Sequence, residues 1–156
     1  MDSRIICSVM LYSYNGLESK CELIDKDLFN TAVRSAFRNT MEAVAEIEQL
    51  TAEKIACINT KVVIDQALSS LKRAYELEQH DIKGLTAEQI ATALNEKEGT
   101  IKARISYQRI KLYEAIQDRY SGEELLNIIC DSKWLMSRYR RELKHATKNE
   151  PKTDDK

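Results

Sequence analysis

Turn-forming residues are nearly missing. The chain has four Gly and one Pro in 156 residues, and that Pro, Pro151, lies close to the end. Sandwiches, barrels and long structureless connections need many more of both, so they are excluded. No apolar run reaches the ~18 residues of a membrane-spanning helix. The stretch Ile5-Ile6-Cys7-Ser8-Val9-Met10-Leu11-Tyr12 lacks a strongly basic start and a small-residue cleavage site, which argues against a secretion signal. A cytoplasmic location without a membrane partner is expected. There is no glycine-rich phosphate loop, and neither of the two histidines, His80 and His145, neighbours a nucleophile in sequence. The carboxylates are interleaved with Lys and Arg, as on solvated helical faces. No enzyme activity, small-molecule substrate or cofactor is expected. Cys7, Cys21, Cys57 and Cys130 have no metal-ligand spacing. They read as reduced thiols serving as small core residues, and no metal site is expected.

The many Ala, Leu, Ile, Glu and Lys residues point to an all-α protein: a helical N-terminal bundle or coiled-coil segment, then a helix-turn-helix, then a C-terminal helix. Cys7, Met10, Tyr14, Leu17, Cys21, Ile24 and Leu28 recur in steps of three and four. That is an a/d seam over three heptads, and it predicts one helix from about residue 3 to 29. Asn15-Gly16 opposes it, since Gly costs about 1 kcal/mol inside a helix; a break there is the alternative. Met10, Tyr14, Leu17, Ile24 and Leu28 are candidates for an oligomer seam, or equally for packing within the chain. Phe29, Val33, Ala36, Phe37, Met41, Val44 and Ile47 suggest a second helical stripe capped by Asp27. Ile55, Ile58, Val62, Ala67, Leu68, Leu71 and Tyr75 suggest a third. Thr51 reads as another helix cap, and 61–79 as the helix supporting the next motif.

That motif is the most informative segment. Thr86 and Gln89 form a T-x-x-Q capping box that opens a helix. Ile90 and Leu94 share its buried face, Ala91 lets a neighbour approach, and Asn95 tolerates the left-handed conformation that ends helices. Ile101, Ile105 and Leu112 continue the apolar stripe on a second helix starting at Gly99. Thr100, Lys102, Ala103, Arg104 and Ser106 lie mostly off that stripe, near the positive end of the helix dipole. The alternative is an ordinary antiparallel helix pair with a solvated basic face.

From Gly84 to Arg104 the chain resembles region four of bacterial sigma factors, above all the small extracytoplasmic-function class. Gly84, Leu85, Thr86, Gln89, Ile90, Ala91, Leu94, Gly99, Thr100, Ile101, Lys102 and Arg104 fit that family's string. The likeness covers about 84–116, with a weaker extension over 62–80, and no region two is visible. The architecture is similar to small phage and mobile-element regulators, in which a long helical part precedes such an end. The resemblance implies that Thr100, Lys102, Ala103, Arg104 and Arg109 meet promoter bases and phosphates; Ser106 lies beside them as a further candidate for base contact.

Net charge is −1, which alone argues against nucleic acid. Its distribution points the other way: net −3 over 1–60, −2 over 61–96 and +4 over 97–156, with Arg138, Arg140, Arg141 and Lys144 strengthening the last. Ser121 and Glu124 form a second capping box, so a C-terminal helix begins near 122, with Leu125, Ile128, Ile129, Leu135, Tyr139 and Leu143 on its apolar face. Tyr107, Ile110 and Tyr113 are three apart and outside the buried stripe. They are expected either to receive this last helix or to bind a partner such as RNA polymerase. The organisation expected is an interaction region over 1–60, a DNA-binding unit over 61–120, an extension over 121–148 and a solvated tail over 149–156. The expected function is transcription control through double-stranded DNA, with a homodimer meeting paired half-sites. A helical adaptor that grips RNA polymerase and a phage DNA-packaging subunit are the alternatives.

Overall fold

Two long helices set the shape. The computed structural model describes residues 2–37 and 39–148, apart from the side chain of Phe37. Helix α1 spans Ser3–Arg34 and α2 spans Thr40–Ser70, joined by a short 3-10 turn at Ser35–Phe37. Each is about 47 Å long at 1.5 Å per residue. Asp2 caps α1 by accepting from the Arg4 amide, and Asn39 caps α2 by accepting from Met41. Asp27 and Thr51, expected to cap helices, instead lie in the interiors of α1 and α2.

The heptad seam of α1 is closed within the chain. Met10, Leu17 and Ile24 are buried and Leu28 is half-buried. The Tyr14 hydroxyl donates to Asp65 of α2. Buried on the facing side of α2 are the small or polar residues Ala56, Cys57, Thr60 and Ala67, together with Val63 and Ile64. Small side chains at a crossing let two helix axes approach closely. Of the two readings of this seam, packing within the chain is the one observed. Met10, Tyr14, Leu17, Ile24 and Leu28 hold α1 to its own chain and are not an oligomer seam. Of the second and third apolar stripes, Phe29, Val33, Ala36, Met41, Val44, Ile55, Ile58 and Val62 are exposed, Ile47 is half-buried and Ala67 is buried; Met41 is 81% and Ile55 51% accessible. Small residues make up much of the buried side of α2, which a search for large apolar residues does not reveal.

Past Leu71 the chain turns into a short helix, α3, at Tyr75–Leu77, which continues as a π-helical turn over Glu78–Ile82. The single helix expected at 61–79 is therefore broken at 71–74. Next come α4 (Ala87–Leu94), α5 (Glu98–Gln117), α6 (Gly122–Ile129) and α7 (Lys133–Lys148). The Ser121–Glu124 capping box opens α6 with both reciprocal hydrogen bonds. The C-terminal helix is split, because buried Ser132 restarts it: its Oγ accepts from the Leu135 amide at 3.2 Å.

One apolar cluster joins Ile6, Met10, Leu17, Ile64, Leu77, Ile90, Ile101, Leu112, Leu125 and Leu135. It draws on all seven helices, so the boundary expected at residue 60, which falls inside α2, divides nothing. Cys7 and Cys57 are buried, as expected of core thiols; Cys21 is half-buried and Cys130 is exposed. The cluster does not reach the distal ends of α1 and α2, which run on together as a hairpin burying Ile24, Thr31, Ala43 and Glu53. None of the described helices is long and apolar enough to cross a membrane. The expected tail, 149–156, lies outside the described residues.

Gly16 sits mid-helix because a Cβ there would stand 2.9 Å from the Trp134 ring of α7. The helix pays the propensity penalty of about 1 kcal/mol so that α7 can lie close. Gly16→Ala is expected to lower stability in urea unfolding. In a Trp134→Ala background the same change should raise it by about 1 kcal/mol; equal signs in both backgrounds would refute the steric explanation.

Candidate nucleic-acid interface

The helix pair is built as its local sequence requires. Thr86 Oγ1 accepts from the Gln89 amide at 3.1 Å, and Gln89 Oε1 accepts from the Thr86 amide at 2.9 Å. Asn95 ends α4 in the left-handed region, at φ 53° and ψ 46°. Gly84, at φ 75°, makes the preceding turn where a side chain would strain the backbone. Helix α5 buries Ile101, Ile105, Gln108, Leu112 and Ile116. Lys102, Ala103, Ser106, Tyr107 and Ile110 are left on its exposed side, and Thr100 is half-buried.

The roll of α5 about its axis is set by two polar clamps to the short helix before it. In the first, the Gln108 amide donates from Nε2 to Glu76 at 2.7 Å, while its Oε1 accepts from the Leu77 amide at 2.8 Å. Arg104 donates to the same Glu76 at 3.2 Å and to Glu96 at 2.9 Å. In the second, Arg109 makes a two-pronged bond to Asp81 in the π-helical turn, and His80 Nδ1 lies 2.7 Å from that carboxylate. The Asp81 carbonyl accepts from the Asn15 side chain of α1 at 3.3 Å. The Arg109 guanidinium also sits 5.6 Å from the Tyr12 ring. Burial by itself would raise the Asp81 carboxyl, but hydrogen bonds from Arg109 and His80 hold it below its ordinary 3.8.

The six residues expected to touch DNA therefore divide. Lys102, Ala103 and Ser106 are exposed, and Lys102 is 65% accessible with only an i,i+4 partner, Glu98 at 2.7 Å. Thr100 and Ala103 border a cleft of about 460 Å³ shared with Arg73 and Tyr107. Arg104 is accessible, but its charge is matched by two carboxylates. Arg109 is a correction: its guanidinium is committed to a buried aspartate and anchors α5 to the body. Arg73 and Lys97 were overlooked. Both are exposed and pair with no described residue, and Arg73 lines the cleft beside Thr100 and Ala103. Gln108 was also missed, since a Gln between two apolar positions reads as solvated until its two bonds are seen.

The patch expected at Tyr107, Ile110 and Tyr113 divides too. Helix α7 docks on α1, where Arg138 donates to the Tyr12 carbonyl at 3.2 Å and stacks on Trp134. On α5, Tyr113 shares a pocket with Ser8 of α1 and with Glu142 and His145 of α7. Tyr113 packs against the core, and burial pushes its hydroxyl to about 12. Tyr107 (61% accessible) and Ile110 remain open, so the last helix does not cover them. Two basic residues of α7, Arg138 and Arg141, lie beside Val9 and Tyr12 of α1.

Asp81 links this site to pH. Its folded pKa is depressed, so its contribution is complete above the unfolded value near 4 and drains as pH falls through the lower folded value. Asp81→Asn is expected to cost about 3 kcal/mol at neutral pH by stranding Arg109. The gap from wild type should narrow in acid; a pH-independent gap in urea midpoints would rule the ion pair out as its source. Comparison with family models, curated proteins and solved structures finds no match to this chain, so the site's geometry and local sequence carry the functional reading.

Proposed function

We propose that the protein is a DNA-binding transcription regulator that lays the first half of α5 into a major groove, without chemistry of its own. One observation carries this: the helix after a capped helix and a left-handed turn is clamped so that Lys102, Ala103 and Ser106 face outward, with no other described element over them. A recognition helix needs that mounting. Lys97, the residue before the helix, provides no side-chain cap, so the first amides of α5 stay open to a phosphate oxygen. Arg73, Lys97 and Lys102 are the cations for phosphate contact, and Thr100, Ala103 and Ser106 are placed for base edges. The local likeness to sigma region four supports the same use of this helix.

The second reading is an adaptor that grips RNA polymerase or another regulator, and exposed Tyr107 and Ile110 favour it. Aromatic residues beside an apolar neighbour are common anchors in protein interfaces. The two readings differ in salt response. Binding to duplexes selected from a random pool should weaken steeply with salt, and Lys102→Ala or Arg73→Ala should each reduce the log–log slope by about one. Arg109→Ala should lower folding stability and leave that slope unchanged. Salt-insensitive binding, or none to any duplex, would favour the adaptor.

A further inference from the structure

On α2, the residues Val44, Glu48, Thr51, Ile55, Ile58 and Val62 are spaced four, three, four, three, four, and Met41 extends the series by three. All seven are exposed. They lie on the side of α2 opposite Glu53, Thr60 and Ala67, the residues buried against α1. The helix thus has a second a/d stripe, turned outward and rich in β-branched residues. A repeat of 3.5 residues stays in register only with another long helix that supercoils around it.

We propose that this stripe is a homodimerisation seam at which α2 packs against α2 of a second copy. The flanks identify the occupant. One flank holds uncharged Ala45, Ala52 and Asn59. The other holds Lys54 and Lys61, whose charges are matched within the chain by Asp25 at 2.5 Å and Asp65 at 2.9 Å. Along these two flanks of α2 nothing repels an identical helix and nothing selects a strongly charged partner; the acidic residues nearby, Glu18, Glu22 and Asp25, belong to α1. Glu48 sets the direction: parallel pairing in register would stack the two Glu48 carboxylates in an apolar seam, whereas antiparallel pairing separates them. The stripe is about 32 Å long and one helix wide. That is smaller than the roughly 800 Å² per partner of a standard interface, so association in the micromolar range is expected. The seam stands independently of the DNA reading.

Sedimentation velocity of the full chain from about 1 to about 200 µM covers this range. The expected result is a concentration-dependent monomer–dimer equilibrium. The Ile55→Glu/Ile58→Glu double variant should stay monomeric with an unchanged helical circular dichroism spectrum, since neither side chain is in the core. Glu48→Leu, which removes the one charge from the stripe, should tighten the dimer at least about tenfold. A wild type that is monomeric throughout, a dimer that the double variant does not weaken, or a Glu48→Leu variant with unaltered affinity would each overturn the proposal.

Discussion

The hold of the short helix 75–82 on α5 is the constraint on which the exposed surface depends. A helix buried along one stripe of Ile and Leu can still roll by a few tens of degrees, because apolar contact is non-directional. Hydrogen bonds are directional. Glu76 takes a proton donor from Arg104 and another from Gln108, three and seven residues along from Ile101, and Asp81 takes both prongs of Arg109. Together these bonds hold one side of α5 inward over more than a turn. The π-helical turn at Glu78–Ile82 carries Asp81 to the place where Arg109 and the Asn15 side chain both reach it. The outward direction of Lys102, Ala103 and Ser106 follows from contacts on the far side of the helix.

The same economy governs α2, which has two faces with different tasks. Toward α1 it presents Ala, Cys, Thr and one buried glutamate, Glu53, whose charge is met by Lys20 at 3.6 Å. A close helix crossing needs small residues more than greasy ones, and a buried carboxylate needs a cation nearby. Of the larger apolar residues, Val63 and Ile64 join the core, while Met41, Val44, Ile55, Ile58 and Val62 lie on the opposite face. A contiguous outward row of Val and Ile, as distinct from apolar residues scattered singly over the surface, marks a contact surface.

The legible parts of the sequence were those with local causes. The capping boxes at Thr86–Gln89 and Ser121–Glu124, the left-handed Asn95 and the stripe from Ile101 to Leu112 each arise within one or two turns of chain, and all are present. The long α1 was legible from its heptads, although Gly16 obscured it, because its reason lies in Trp134 over a hundred residues away. What could not be read was the choice between competing partners. Periodicity identifies a stripe without naming what covers it, so α1's seam could have been intermolecular, and α2's outer stripe was assigned to the core. Arg109, and in part Arg104, was misread for a related reason: a cation on a helix looks available until the carboxylates that pair with it, Asp81 and Glu76, are brought in from another helix.

That accounting of charge bears on how a chain with net charge −1 could bind DNA. With Arg109 committed and Arg104 matched, the cations left around the start of α5 are Arg73, Lys97 and Lys102, the last shared with Glu98. Three phosphate contacts give a log–log salt slope of about −2.7, and raising salt from about 50 to 200 mM would then weaken binding only about fortyfold. Such a surface has modest affinity and little of the indiscriminate attraction that a strongly basic protein has for any duplex. Discrimination must then come from Thr100, Ala103 and Ser106 at base edges, and retention from having two such helices at once. The outward stripe of α2 shares no residue with the exposed side of α5, so pairing along it would occupy none of Lys102, Ala103 and Ser106. Coupling two weak, selective surfaces through a micromolar dimer makes occupancy depend on protein concentration as well as on sequence, which suits a switch better than a permanent clamp.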